Sequence, residues 1–444
     1  MEHLSVTKAQ ECVLESVAML GAESVKLEQS LGRVLAVDIR ANRDIPPYDV
    51  SAMDGYAVRS ADLANIPATL EITEDIKAGD MPRKTVQPGQ CARIMTGAPV
   101  PEGADAVIRV EDTLAVSAEA LSPNSLPQAG ERDEVSLREL IVNAVQINRS
   151  AKPGHDVRAR GESMSSGDVV LAAGTEITPG VVGVLATVKC AQVQVFRHPR
   201  VAILSTGNEL EDIADPVDPD KIPDSNSYAL MAQVQALGIE PALLGIARDD
   251  PAELAEYLQR GLKFDVLLVS GGTSVGVHDY VRPAIEALGV RMKFWRVAMK
   301  PGHPVAFGVS QRNSDDAPKE TFVFGLPGNP VSSMVCFEEF VAPALRSMMG
   351  HARLYRRTIA ARLTHDVKHQ PGRTEFIRVA LAKEEGGYAV TSTGAQGSGM
   401  LLSMAKADGL MVVSADSTGL AAGEQVTVQL LEGTTFQDDA GFRE

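Results

Sequence analysis

The sequence predicts a multidomain α/β protein organised around a doubly wound sheet. Three observations lead there. At 444 residues, the chain exceeds a single core at the usual scale of about 150 residues per domain. Between Val201 and Phe324, short apolar runs alternate with helical stretches of about ten to twelve residues, the pattern of a parallel sheet covered on both faces. Beyond Leu345 helical periodicity stops, and short runs suggest a compact all-β terminal domain.

The elements follow in order. Ala9, Cys12, Val13, Val17 and Leu20 recur at helical spacing, so residues 7–20 open the chain as an amphipathic helix. The stretch Asp44-Ile-Pro-Pro-Tyr-Asp49 cannot continue a helix and reads as an extended linker. From Met53 to about Val116, β-like runs separated by Ala78-Gly79-Asp80 and Gln87-Pro88-Gly89 indicate a small all-β or α+β module. Residues 122–136 read as a solvent loop, Val135–Ile147 has helical character, and Thr178-Pro179 caps a helix over the apolar stretch Val181–Val188.

The middle third gives strands at Val201–Leu204, Pro241–Ile246, Val266–Val269 and Thr321–Phe324. Between them lie helices at Tyr228–Leu237, Pro251–Leu262 (opened by Asp250) and Tyr280–Leu288. The all-β end contributes Ile359–Leu363, Glu375–Ala380, Leu410–Val413 and Gln425–Leu430.

Composition excludes several functions. A formal net charge of −16 opposes wrapping of a nucleic-acid backbone and docking on anionic lipid. Aromatics at 4% supply no base-stacking platform. Four dispersed cysteines without a CxxC fit neither a disulfide scaffold nor structural zinc, and suit a reduced, cytoplasmic setting. His365 and His369 lack the glutamate of a zinc-binding HExxH. The N-terminus shows no signal-peptide pattern, and no apolar run approaches the roughly 18–20 residues that span a bilayer.

Ligands of doubly wound sheets sit beyond the carboxyl ends of the strands. Those ends carry Ser205-Thr-Gly-Asn-Glu209, Arg248-Asp249-Asp250, Ser270-Gly-Gly-Thr-Ser-Val-Gly276 followed by Asp279, and Leu326-Pro-Gly-Asn-Pro330. Glycines admit close backbone approach to an anion, and carboxylates supply the oxygen ligands of Mg²⁺. Charge is also uneven. Residues 280–303 hold five Lys or Arg against one acid, whereas residues 201–260 hold three against twelve. A phosphorylated ligand with a divalent ion suits that pairing. Neither GxGxxG nor the P-loop pattern GxxxxGK[ST] is present to support a nicotinamide or P-loop enzyme.

Six motifs in one order, Ser51-Ala-Met-Asp-Gly-Tyr-Ala57, Arg93-Ile-Met-Thr-Gly-Ala-Pro99, Ser205–Leu210, Ser270–Gly276 with Asp279, Met299-Lys-Pro-Gly302 and Leu326–Pro330, resemble the molybdopterin molybdenumtransferase (MoeA) family. The family includes gephyrin-like E-domains, and the resemblance runs to about residue 430.

It implies four domains: a discontinuous linker domain (1–50 and 151–198), a β-rich inserted domain (51–150), a molybdopterin-binding α/β domain (199–350) and a C-terminal β-barrel domain (351–444). It implies a homodimer that inserts molybdate into adenylylated molybdopterin with Mg²⁺-dependent release of AMP. Transient contact with molybdopterin adenylyltransferase and molybdoenzyme-maturation proteins is implied too. Two alternatives are adenylyl transfer onto molybdopterin and a gephyrin-like peptide-binding scaffold.

The implied metal ligands are Glu209, Asp249 and Asp279, and Arg296 with Lys300 would bind molybdate or phosphate oxygens. Asp54 and Thr96 would complete the cleft. The pterin side would be bound by Thr206, Gly207, Asp224, Asn226, Ser270, Gly271, Gly272, Ser274, Pro327, Gly328, Asn329, Pro330 and Ser398. Departures from the family pattern are Arg296 and His303 where lysines are common, Ser163 where Asp is common, and a longer segment at 117–149.

Overall fold

The computed structural model describes residues 4–116, 144–272, 280–311 and 320–431. The chain forms two compact units, Asp38–Ala172 with Gly183–Ala191, and Met1–Val37 with Ala173–Val182 and Gln192–Glu444. Among the described residues, no helix is long and apolar enough to cross a membrane.

The first of these units contains a mixed sheet of β1 (Gly55–Val58), β2 (Ala68–Ile76), β3 (Gln90–Ile94), β4 (Ala106–Arg109), β5 (Thr113–Val116) and β6 (Ala144–Ile147). Its spatial order is β4-β1-β3-β2-β6-β5. Tyr56, Val58, Ile108, Val145 and Ile147 fill one core of this sheet, and Ala57, Ile76, Ile94 and Val107 fill another. Burial on both faces is what holds the small module together. Ala144–Ile147 is therefore strand, where helical character was expected, because it is hydrogen-bonded between Ala68–Glu71 and Thr113–Val116. The expected loop at 122–136, the rest of the expected helical stretch (135–143) and most of the 117–149 segment lie outside the described residues.

The other unit opens with α1 (Val6–Ser16), capped by Ser5, whose side chain accepts from the Lys8 amide at 3.3 Å. The Thr178 hydroxyl accepts from Val181 N at 3.4 Å at the start of α2 (Pro179–Thr187), as the Thr-Pro pair foretold. The central sheet comprises β7 (Val201–Thr206), β8 (Ala242–Ala247), β9 (Val266–Ser270), β10 (Val290–Phe294), β11 (Ala306–Gln311) and β12 (Glu320–Leu326), in the order β8-β7-β9-β12-β11-β10.

Alternate residues of β7 and β9 enter opposite cores. Val201, Ile203, Val266 and Leu268 pack with Leu230 and Val234 of α3 (Ser225–Ala236). Ala202, Leu204, Leu267 and Val269 pack with α4 (Pro251–Gly261) and α5 (Val281–Ala287). Val6, Ala9 and Val13 of α1 enter the former core.

The all-parallel expectation needs one correction. β11 runs antiparallel to both β12 and β10. Residues 312–319 are too few for the crossover that parallel neighbours require, about a dozen residues or more.

After β12, α6 (Pro330–Cys336), the π-helical turn Phe337–Val341 and α7 (Ala342–Met348) run on without a break, past the expected end at Leu345. The chain then forms a closed β-barrel of β13 (Thr358–Leu363), β14 (Thr374–Glu384), β15 (Gly387–Ser392), β16 (Gly409–Val413) and β17 (Gln425–Leu430). The β14–β16 pairing closes the ring. A short helix, α8 (Leu401–Ala405), interrupts the expected all-β run, because Met404 and Leu401 pack into the core shared with α6.

Candidate functional site

The carboxyl edge of the β7–β9–β12 strands gathers most of the residues expected at the pterin side. Asn226, in the first turn of α3, donates from Nδ2 to Ser270 Oγ and to Gly328 O, both at 2.8 Å. It thereby ties the end of β9 to the Pro327–Pro330 loop that enters α6. The backbone N–H of Val331 donates to Ser398 O at 3.1 Å, which brings Ser398 to the same loop. Asn226 Oδ1 is buried and lacks a hydrogen-bond partner. A buried acceptor left unpaired is costly, so this position is suited to a donor from a ligand.

Gly271 has φ +93°, and a Cβ there would stand 2.6 Å from Thr206 O. Only glycine lets the two strand ends approach so closely. Asp224 is buried and caps α3, accepting from Ser227 N at 3.1 Å and Ser205 Oγ at 2.9 Å. Asp250 likewise caps α4 through the amides of Ala252 and Glu253.

Glu209 and Asp249 flank the next stretch of the edge. The Glu209 carboxylate lies against the place a Cβ on Gly207 would take, so the absent side chain creates its cradle. Asn208 N donates to Asp249 Oδ2 at 3.3 Å, and Asp249 N donates to Asn208 Oδ1 at 3.2 Å. Both acids are exposed oxygen donors on neighbouring loops, which fits a hard cation that also keeps water or phosphate ligands. Among the described residues, no group of three His, Cys, Asp or Glu side chains could hold a metal. Asp279, the third expected ligand, lies outside them, as does Ser274.

Of the two expected oxyanion-binding cations, Arg296 is half-buried beside Trp295, whose ring stacks under Arg282 at 5.1 Å. Lys300 sits on the two-residue strand Met299–Lys300, and its Nζ lies 2.7 Å from Glu375 Oε1. Lys300, Glu375 and Arg373 line an open cleft of about 840 Å³ at the barrel mouth. His303, one of the departures, has Nδ1 at 2.7 Å from Val297 O, which holds its ring against the loop that carries Lys300.

In the other unit, Asp54 accepts from both Thr96 N and Thr96 Oγ1, each at 2.7 Å. These two bonds hold its carboxyl below the ordinary carboxylate range, that from the amide contributing most. Asp54 and Thr96 line an open cleft of about 530 Å³ with Arg109, Glu111, Asp112 and Arg149.

Sequence reasoning passed over Arg378. Its side chain is fully buried: Nε donates to Ser403 Oγ at 2.8 Å, and Nη2 donates to the carbonyls of Ala395 and Gly397 at 3.2 and 3.1 Å. Its Nη1 has no partner. A guanidinium buried against neutral groups, and bonded to the residue just before Ser398, is a ready oxyanion donor. The signal was present in Glu375–Ala380, where Arg378 interrupts an apolar run.

Comparison with known proteins covers most of the chain. Residues 4–188 match the family described as MoeA N-terminal region (domain I and II), and residues 202–347 match the probable molybdopterin binding domain. Residues 360–431 match the MoeA C-terminal region (domain IV). A molybdopterin molybdenumtransferase of Nostoc is 36% identical over 91% of this chain and 88% of its own length. One from Bacillus subtilis is 35% identical over 92% and 90%. The crystal structure of a molybdopterin biosynthesis MoeA protein from Pyrococcus horikoshii covers 97% of this chain and all of its own, with a TM-score of 0.77 at 29% identity.

Proposed function

The chain belongs to the molybdopterin molybdenumtransferase (MoeA) family, enzymes that insert molybdenum during molybdenum cofactor biosynthesis, and from that premise we propose how its residues divide the reaction. The observation that carries the reading is the joined edge in which Asn226 links Ser270 to Gly328 while an unpaired Asn226 Oδ1 awaits a donor. The substrates are adenylylated molybdopterin and molybdate, and AMP leaves.

Thr206, Gly207, Ser270, Gly271 and Gly272 offer backbone groups to the phosphorylated pterin. Glu209 and Asp249 would hold Mg²⁺, with Asp279 as the third ligand expected from the family pattern. When bound, that ion supplies charge neutralisation at the phosphate. Arg296, Lys300 and Arg378 bind the oxygens of molybdate; a guanidinium can do so through two parallel hydrogen bonds. Asp54 is assigned as an acceptor toward substrate, oriented by Thr96, whose amide and hydroxyl both donate to its Oδ1, and a homodimer in a cytoplasmic setting is part of the proposal. Adenylyl transfer and scaffolding gain no support from the comparisons.

The test is AMP release from adenylylated molybdopterin by the purified protein. Release should require both molybdate and Mg²⁺, and Asp249→Asn should slow it by about 100-fold or more, as loss of a metal ligand does. Equal release without molybdate would overturn the assignment. Tungstate competing in the same assay reads the oxyanion preference.

A further inference from the structure

Glu375 is a carboxylate both buried and shared. It is 6% exposed, and its two oxygens have different partners: Lys300 Nζ at 2.7 Å on Oε1 and His369 Nδ1 at 2.9 Å on Oε2. Register explains the meeting. Met299–Lys300 pairs in parallel with the start of β14, which sets Lys300 against Glu375. His369 supplies the second contact, 9% exposed, with Nε2 buried and unpaired by protein. Lys300 itself remains half-exposed at the cleft.

From this arrangement we propose that Glu375 is a positioning residue for Lys300, and that His369, donating from Nδ1, fixes the orientation of Glu375. The proposal rests on the reading of Lys300 as an oxyanion-binding cation. A lysine ammonium is a point charge on a flexible four-carbon stem, and unaided it samples many rotamers. An anchored carboxylate oxygen takes one of its three N–H donors and leaves two for a ligand. Because the second carboxylate oxygen is held by His369, the carboxylate cannot rotate without breaking both contacts. A buried carboxylate that lost one partner would also be left partly unpaired, which is costly and drives rearrangement.

Three variants of the full chain test this: Glu375→Gln, His369→Leu and His369→Asn. Asparagine sets its Nδ2 near the place of the histidine Nδ1, so it retains the donor; leucine removes it. The melting temperature of each variant is recorded, the assays are run well below it so that every variant is folded, and two readouts are then taken.

The first is acetylation of Lys300 by acetic anhydride at fixed pH, followed by mass spectrometry with exposed Lys406 as internal reference. Lys300 should react about threefold faster or more in Glu375→Gln and His369→Leu, and at the wild-type rate in His369→Asn, since an ion-paired ammonium is shielded. The second is AMP release against molybdate concentration. Here KM for molybdate should rise roughly tenfold in the first two variants with kcat little changed, the mark of lost binding rather than lost chemistry.

A fall in kcat and melting temperature with KM unchanged would make the pair merely structural and overturn the proposal. So would identical behaviour of the asparagine and leucine variants. Should the wild-type protein release no AMP, the functional reading fails, while the acetylation rates still decide whether Glu375 and His369 hold Lys300.

Discussion

Gly271 shows how much a single missing side chain decides. With φ at +93° and Thr206 O at 2.6 Å from any Cβ, Gly271→Ala must both strain the backbone and push β7 and β9 apart at their carboxyl ends. The expected cost is about 1–3 kcal/mol of stability, read as a lower urea midpoint, with loss of AMP release beyond what that destabilisation explains. At this scale the sequence was informative wherever glycine and carboxylate fell after an apolar strand, as in Ser205–Glu209. Arg378 and Glu375 were passed over although they interrupt an apolar run, because two polar residues three apart fall on opposite faces of a strand and mark neither face as wet. β14 is dry on both faces because Ile377 and Val379 enter the barrel core while Phe376 packs into the core shared with α6, a placement that no local pattern reveals.

Among the elements, the turn Phe337–Val341 departs furthest from local expectation. Two adjacent acids in a regular helix point about 100° apart, and one of them ordinarily meets water. Here the widened π turn buries both: Glu338 is paired with Arg356 at 2.8 Å, and Glu339 accepts from Gln10 Nε2 at 3.0 Å. Burial pushes the Glu339 carboxyl up to about 8 from an ordinary 4.5.

The folded state therefore binds a proton that the unfolded chain has released between those values. Its stabilising effect is complete below about pH 4.5 and declines as pH rises towards 8. Glu339→Gln should remove this part of the slope and stabilise the protein by a few kcal/mol near pH 8, on the order of the shift itself. Chemical denaturation from pH 5 to 9 measures it. The sequence placed the end of helical periodicity at Leu345 but did not foretell this turn, which is a single-turn insertion within a continuous helical stretch.

For the whole molecule, the order of motifs along the chain specified the architecture well: an opening helix, a β-rich module, a doubly wound sheet and a barrel. What it missed is the antiparallel β11, whose direction is set by the length of its connection to β12 and not by its own residues. The sheet's core depends on aromatic contacts that span this very strand. Phe307 lies 4.9 Å from Phe324 and 5.8 Å from Phe294, centroid to centroid, and is fully buried. Phe307→Ala should cost about 3–5 kcal/mol, visible as an earlier denaturation midpoint without a changed slope.

The strand Met299–Lys300 belongs by sequence to the stretch between β10 and β11, yet its partner is β14 of the barrel, reinforced by Thr374 N donating to Ala298 O at 3.0 Å. The barrel is thus fastened by the covalent chain after α7 and again by this inserted rung, besides the Val331–Ser398 bond and the packing of Met404 into the core shared with α6. A cut between Met348 and Thr358 would sever the first fastening only. The two fragments would still share a ladder, and the cation at its end would keep its place. Conversely, trimming the barrel away would remove the template on which Lys300 is laid. The last domain is in this sense part of the masonry of the cleft proposed to take the oxyanion, and the recombination of the α/β core with an unrelated terminal module would carry a lysine but not its address.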